Sequence, residues 1–435
     1  VRRFAMKFQQ VTSAVMAKGV EDTAFYRYNR LVSSNEVGGN PNRFGVSVEE
    51  FHRANAERER SWPQAMVSLS THDSKRSADV RARINVLSEI PGEWTRHLRR
   101  WRDWNRGKKR VFDGAAAPTR NDEYLLYQTL VGAWPAEPVD DAGWKQFIER
   151  IEQYTLKAAR EAKEHTSWAN TNGEYEAALA EFVRGILRRG EPRNRFLEDF
   201  ADFAGRMGRI GIFNSLSATV LKMTAPGMPD TYQGDELFEF TLVDPDNRRA
   251  VDYTRGMRTL EEVRGAEFSR GNSLSEDSLK QLRDLVTSAG GANAAKLFVT
   301  WKTLNLRKEF AALFQRGTYI PLKVTGERSE HVVAFAREFE GRRAIVVAPR
   351  LWGTLLGDRG TIGDDGLWGD TSVEIGNPHA RCYHNLFTGE CHQTSNDAAK
   401  DGRAESVPVA GLLRYFPVAI LLGQSVGQNS GQAES

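Results

Sequence analysis

Phe4, Phe8, Val11 and Val15 recur at helical spacing, so the chain opens on an amphipathic helix for which Gly19 is the expected stop. Residues 34–45 (SNEVGGNPNRFG) are turn-rich and read as a loop. Ser47 followed by Glu50 has the form of a capping box, which predicts a helix over about 48–60. The apolar run 65–69 (AMVSL) is too short for a helix and fits a buried parallel strand. It runs straight into 70–76 (STHDSKR), and Ser77 offers a second helix cap. Residues 85–205 read as helical almost throughout, punctuated by Pro118, Pro135 and Pro138. Ile212, Leu216, Val220 and Met223 predict one more helix, which 224–229 (TAPGMP) must break. Residues 230–233 are a very short strand candidate, and 241–253 form a polar loop.

Helical periods return at about 275–287 and 295–314, around a Gly/Ala linker at 288–295. Beyond 318 the period changes to short alternating strands, at 331–337, 343–349, 371–375, 405–409 and 413–422. That spacing predicts an all-β domain of the sandwich type. Residues 424–435 are rich in Gly, Ser and Gln and read as a disordered tail. Helix and strand alternate early and the end is all-β, the pattern of an α/β barrel with a β domain appended. In such barrels the chemistry sits on loops that follow the strands, where His72 and Asp73 fall.

Composition narrows the function classes. Of 435 residues 40% are hydrophobic, which excludes a mainly disordered chain. Sixty basic against 57 acidic side chains leave +3, a balance that argues against a dedicated nucleic-acid binder. The basic run Arg96–Arg110 is interleaved with Trp101 and Trp104 and reads as an amphipathic helix with solvated arginines. No apolar run approaches the ~20 residues of a membrane span, no secretory signal opens the chain, and two cysteines make no disulfide framework, so a reducing cytoplasm is expected. Cys382, His384, Cys391 and His392 match none of the usual structural zinc spacings, so no metal is expected. No phosphate-binding or dinucleotide glycine motif is present, and no cofactor is expected.

His72-Asp73 carries the strongest local chemistry: a carboxylate at a strand end can stabilise developing positive charge, and a histidine beside it can donate to a substrate hydroxyl. Taken alone, such a pair is more often a hydrogen-bonded structural pair in a turn. The string 67–73 (VSLSTHD) resembles the His-Asp motif after the seventh barrel strand of the α-amylase superfamily, and 71–83 (THDSKRSADVRAR) resembles the maltooligosyl trehalose synthases within it. Residues 15–28 (VMAKGVEDTAFYRY) are similar to an upstream signature of that family, and 225–236 (APGMPDTYQGDE) to its eighth-strand signature, followed by 242–249 (LVDPDNRR).

The resemblance implies the C-terminal part of a (β/α)8 barrel with a large helical insertion and a following β-sandwich. It divides the chain into 1–84 (late strands and helices of the barrel), 85–205 (insertion), 206–318 (last strand and following helices), 319–423 (β domain) and a tail. It implies intramolecular transglucosylation: the reducing-end α-1,4 bond of a maltooligosaccharide becomes an α,α-1,1 bond. Asp73 is then the transition-state stabiliser, and His72, Lys75, Arg76, Lys18, Tyr26, Tyr232, Asp235, Glu236 and Arg249 contact substrate. Turn capping for Asp235 and Glu236, surface ion pairs for the cations and core packing for the tyrosines stay open. Retaining chemistry needs two carboxyl groups ~5–5.5 Å apart. The family's nucleophile and acid/base lie on earlier strands, which this sequence does not contain, so a missing N-terminal portion is the expected partner. An α-glucan hydrolase and a non-catalytic glycan-binding piece are the alternatives.

Overall fold

The structure is a computed structural model. It describes residues 1–112, 115–190, 192–269, 274–288, 290–357, 362–364, 366–376, 382–393 and 405–423. The expected tail, 424–435, lies outside the described residues.

Helix α1 (Arg2–Val15) has the expected amphipathic pattern, yet none of its residues is buried. A wide π turn, Met16–Glu21, carries the chain past Gly19. A glycine stops a helix by turning left-handed, and Gly19 is not among the positive-φ glycines. Helix α2 (Val48–Ser61) starts on the complete capping box: Glu50 N donates to Ser47 Oγ at 3.1 Å and Ser47 N donates to Glu50 Oε2 at 3.2 Å.

Strand β1 (Met66–Val67) pairs in parallel with Met228–Pro229. The second partner therefore precedes the stretch 230–233 expected from sequence. Gly227, at φ +116°, makes the pairing possible: a Cβ there would stand 2.6 Å from Val67 Cγ2 and 2.7 Å from the Ala65 carbonyl. β1 is not buried as expected, and Met66 is 74% exposed, because among the described residues a single strand lies beside it.

Helices α3 (Ala78–Asn85), α4 (Pro91–Asn105), α5 (Arg120–Ala133), α6 (Asp141–Ala162), α7 (Gly173–Leu187) and α8 (Arg195–Thr224) bear out the helical reading of this region. It also holds an unexpected antiparallel strand pair, β2 (Arg110–Phe112) with β3 (Ala115–Ala117). α8 continues without interruption into the helix expected at 212–223 and ends at the proline-glycine break. Trp101 is fully buried against Phe196, Phe200 and Phe203, while Arg96, Arg99 and Arg102 stay exposed, so α4 is amphipathic as its sequence predicts.

β4 (Met228–Pro229) is followed by α9 (Tyr253–Gly265), which begins where the expected loop 241–253 ends and for which no element was read from sequence; Asp252 caps it by accepting from Arg255 N. Then come α10 (Glu276–Thr287), α11 (Ala292–Glu309) and α12 (Ala311–Arg316). The strands after 318 are β5 (Thr318–Pro321), β6 (Val324–Thr325), β7 (Val332–Phe339), β8 (Arg342–Pro349), β9 (Ser372–Glu374), β10 (Cys382–Asn385), β11 (Cys391–Gln393), β12 (Ser406–Pro408) and β13 (Ala419–Gly423).

The chain divides into two compact units. One comprises Val1–Gly45, Ser70–Gly211 and Glu239–Arg249; the other comprises Val46–Leu69, Ile212–Phe238 and Ala250–Ser435. In the second, the long strands form an antiparallel sheet of order β11-β10-β13-β8-β7-β5, beside a smaller sheet of order β12-β9-β6. β7 and β8, expected as alternating strands, pair along their whole length and are buried over most of it, on successive residues and not on alternate ones. Phe298 on α11 packs against Phe387 and Phe416 and is fully buried. Arg337 of β7, also buried, donates to the carbonyls of Thr224, Phe314 and Gly317, and burial lowers its pKa to about 10. Cys382 and Cys391, read from sequence as ordinary β-domain residues, are joined by a disulfide between neighbouring strands, with Cα atoms 5.8 Å apart. Two cysteines too few for a framework still meet when a hairpin pairs their strands.

Candidate functional site

In the first unit the His72-Asp73 turn is braced from within. Thr71 N donates to Ser74 Oγ at 2.8 Å, and Asp73 N donates to Thr71 Oγ1 at 3.2 Å. Such side-chain-to-backbone bonds hold a polar turn in one conformation. From outside, Asn247 Nδ2 donates to the His72 carbonyl at 3.0 Å. The two side chains themselves are exposed, and among the described residues neither makes a hydrogen bond or ion pair. The turn's backbone is braced and its two side chains face outward.

The next residues face inward. Lys75 is 3% exposed and its Nζ lies 2.8 Å from Asp22 Oδ1. Its backbone N donates to Glu36 Oε1 at 2.8 Å, and Arg76 N donates to Glu36 Oε2 at 3.2 Å. One carboxylate thus holds two successive amides. The Arg76 guanidinium is buried, donating to Tyr154 Oη at 2.6 Å and to the Val32 carbonyl at 3.3 Å. Ser77 N donates to the Thr241 carbonyl at 3.0 Å, and Ser77 Oγ caps α3.

Asp22 also binds Lys18, Nζ to Oδ2 at 2.5 Å. Burial pushes the Asp22 carboxyl up, but hydrogen bonds from Lys18 and Lys75, with their charges, outweigh it and hold it below the ordinary range. Lys18 is raised by the same bond. Lys18 is itself exposed. Tyr26 is buried, and burial drives its phenol well above its usual pKa. Arg249 is exposed and bound to Asp246, which also accepts from Arg150 Nε at 3.0 Å and from Leu242 N at 2.7 Å. Of the residues singled out from sequence in this unit, Lys18 and Lys75 converge on one carboxylate, Tyr26 and Arg76 are interior, and His72 and Asp73 stand free.

The second unit holds Tyr232, Asp235 and Glu236 on the loop after β4. Asp235 is buried and its N donates to the Tyr232 carbonyl at 2.9 Å, while Tyr232 and Glu236 are half-buried. Lys222, near the end of α8, donates to the Asp230 carbonyl at 2.9 Å and to Thr231 Oγ1 at 3.0 Å and so anchors this loop. Burial lowers the Lys222 pKa against the pull of Asp235. Sequence reasoning missed Lys222, Asn247 and Glu36. Lys222 lies off the 212–223 apolar stripe, and the other two fell in polar stretches, so no periodicity marked any of the three.

No family model matches the chain. A solved maltooligosyltrehalose synthase from Arthrobacter ramosus superposes with a TM-score of 0.75 at 34% identity, covering 97% of this chain and 46% of its own. A Mycobacterium tuberculosis protein provisionally named maltooligosyl trehalose synthase is 36% identical over 356 residues, 82% of this chain and 40% of its own length. This chain is a homologue of the maltooligosyl trehalose synthases. A further solved maltooligosyl trehalose synthase superposes with a TM-score of 0.71 at 30% identity, over 96% of this chain and 48% of its own. The chain therefore spans a little under half the length of these synthases. The resemblance read from 15–28, 71–83 and 225–236 is borne out at the level of the whole chain. Among the described residues no helix is long and apolar enough to cross a membrane.

Proposed function

We propose that this chain is the C-terminal portion of a glucosylmutase that converts the reducing-end α-1,4 bond of a maltooligosaccharide into an α,α-1,1 bond. The observation that carries the reading is the His72-Asp73 turn: two unpartnered side chains on a braced loop whose continuation is locked into the interior. A preorganised carboxylate opposite developing positive charge is worth most when it does not have to reorient during the reaction.

In this reading Asp73 stabilises the oxocarbenium-like transition state and His72 holds a hydroxyl of the reacting sugar. Lys75 and Arg76, whose polar ends are already engaged, act as positioning residues for that turn. Lys18 and Arg249 are exposed cations able to donate to sugar hydroxyls, and Tyr232, Asp235 and Glu236 are further proposed sugar contacts. Tyr26, being buried, is assigned to packing and not to sugar contact. The nucleophile and the acid/base are assigned to polypeptide outside this chain. The length of the relatives supports that assignment. So does the exposure of apolar groups on α1 and β1, of a kind that barrel packing covers. On the same reading 1–84 and 206–318 belong to the barrel, 85–205 is an insertion, and 319–423 is a β-sandwich domain free of catalytic residues.

The test is Asp73→Asn in an enzyme assembled with the N-terminal portion of a relative. Turnover of maltopentaose to a non-reducing product should fall ~10²–10³-fold with the melting temperature unchanged. Near-normal turnover would refute the assignment of Asp73, and release of glucose and maltose by the unsubstituted enzyme would favour a hydrolase.

A further inference from the structure

Cys382, His384 and Cys391 sit on one face of the β10-β11 hairpin. His384 is paired directly across from Cys391, and Cys382 is two residues from His384 on the same strand. Their ligand atoms, two Sγ and one imidazole nitrogen, all lie within 4.8 Å of one another, and His384 Nε2 is 3.6 Å from Cys382 Sγ. A tetrahedral zinc ion with Zn–S ~2.3 Å and Zn–N ~2.05 Å separates sulfur from nitrogen by about 3.6 Å. The His384–Cys382 pair already stands at that separation. Cys382 and His384 are half-buried and Cys391 is exposed, so the cluster has a shielded floor and an open side. His384 Nδ1 is a buried nitrogen without a hydrogen-bond partner among the described residues, so the ring is held by packing and not by a competing acceptor.

We propose that Cys382, His384 and Cys391 form a binding site for a thiophilic divalent cation, zinc above all, whose occupancy alternates with the Cys382–Cys391 disulfide. The sequence pattern hides this because the ligands follow no zinc-finger spacing; pairing of the two strands brings them together. The chemistry balances simply. A dithiol reductant gives two electrons and two protons to the disulfide and is itself oxidised to a disulfide. The two thiols then each lose a proton as the cation binds their sulfurs, and neutral His384 supplies the third ligand. Three protein ligands leave a fourth position for a water or another donor. The site lies in the second unit, on an edge of the large sheet. A bound cation would cross-link the hairpin as the disulfide does.

The experiment uses the full chain, reduced with a dithiol, exchanged under anaerobic conditions and titrated with Zn2+ against a chromogenic chelator. The reduced chain should take up one zinc per chain, and Co2+ in its place should give thiolate-to-metal charge-transfer absorption. Cys391→Ser and His384→Ala should each weaken zinc binding by at least ~100-fold, since changes merely beside a metal site already cost 10–100-fold. The oxidised chain should bind none at this site. Zinc uptake by the reduced chain no tighter than by the Cys382→Ser/Cys391→Ser variant would overturn the proposal. So would equal uptake by the oxidised chain. His384→Ala leaves both cysteines in place, so its reduced and oxidised forms can be compared if the serine variants fail to fold.

Discussion

Lys75 Nζ lies 2.8 Å from Asp22 Oδ1, joining two segments of the first unit that are 53 residues apart in sequence. The pair ties the 15–28 stretch to the backbone that presents His72 and Asp73. Removing a partner that leaves a buried charge uncompensated costs ~3–5 kcal/mol; here Lys18 still pairs with Asp22, which also keeps some solvent access, so the expected cost is smaller, about 1–2 kcal/mol. Lys75→Met should therefore lower the denaturant midpoint with the m-value unchanged. In an assembled enzyme it should also reduce turnover through the loosened turn; the loss of stability should be far smaller in Lys18→Met, because Lys18 is 77% exposed.

The same carboxyl sets a pH dependence. Asp22 is held below the ordinary range in the folded chain, so the folded state favours its ionised form. Its stabilisation is fully present above the unfolded value of ~4 and is lost as pH falls through the lower, folded value. The acid limb of the stability curve should therefore be shallower in Asp22→Asn than in the unsubstituted chain. The two curves should run parallel above about pH 5.

Gly211 tests the packing of the 71–83 segment. A Cβ there would stand 2.5 Å from Arg83 Cγ and 3.1 Å from Arg83 Cα. Arg83 cannot yield easily. It is buried, donates to the carbonyls of Gly132 and Trp134, and its guanidinium lies 3.5 Å from the Phe240 ring centroid. Alanine for glycine within a helix usually gains up to ~1 kcal/mol. Here Gly211→Ala should instead destabilise by ~1–3 kcal/mol through overpacking. Gly205→Ala, on the same helix with only the end of Arg209 within 4 Å, should show the ordinary gain in a thermal melt.

In the second unit Phe298→Ala should cost ~3–5 kcal/mol, since the side chain is fully buried against Phe387 and Phe416. Chemical denaturation followed by tryptophan fluorescence would measure it.

What could be read from sequence follows the range of the forces involved. The capping box at Ser47–Glu50, the cap at Ser77 and the amphipathic α4 are fixed by neighbours three or four residues away, and all three form as their patterns predict. β1 was legible as a strand, but its length and burial depend on strands beside it, and the two-residue pair with Met228–Pro229 has no local signal. α9 was missed because its polar stretch has few apolar positions to betray a period. The string 71–83 was legible as a signature, yet its residues divide in a way no periodicity reveals. His72 and Asp73 face out, while Lys75, Arg76, Asp79 and Arg83 are interior polar groups with partners far along the chain. Burial of a charged side chain is decided by a partner such as Asp22 or Tyr154, and sequence does not mark those partnerships.

The most direct test of the central claim is the reducing-end content of maltopentaose incubated with residues 1–435 alone and with the same chain joined to the N-terminal portion of a relative. Retaining transfer needs a nucleophile on one face of the anomeric carbon and a proton donor at the leaving oxygen, and this account assigns neither to the chain. The chain alone should leave reducing ends at the level of a no-protein control, and the assembled enzyme should consume them without releasing glucose. Loss of reducing ends with the chain alone would contradict the account, since a complete pair of catalytic carboxylates would then lie within it.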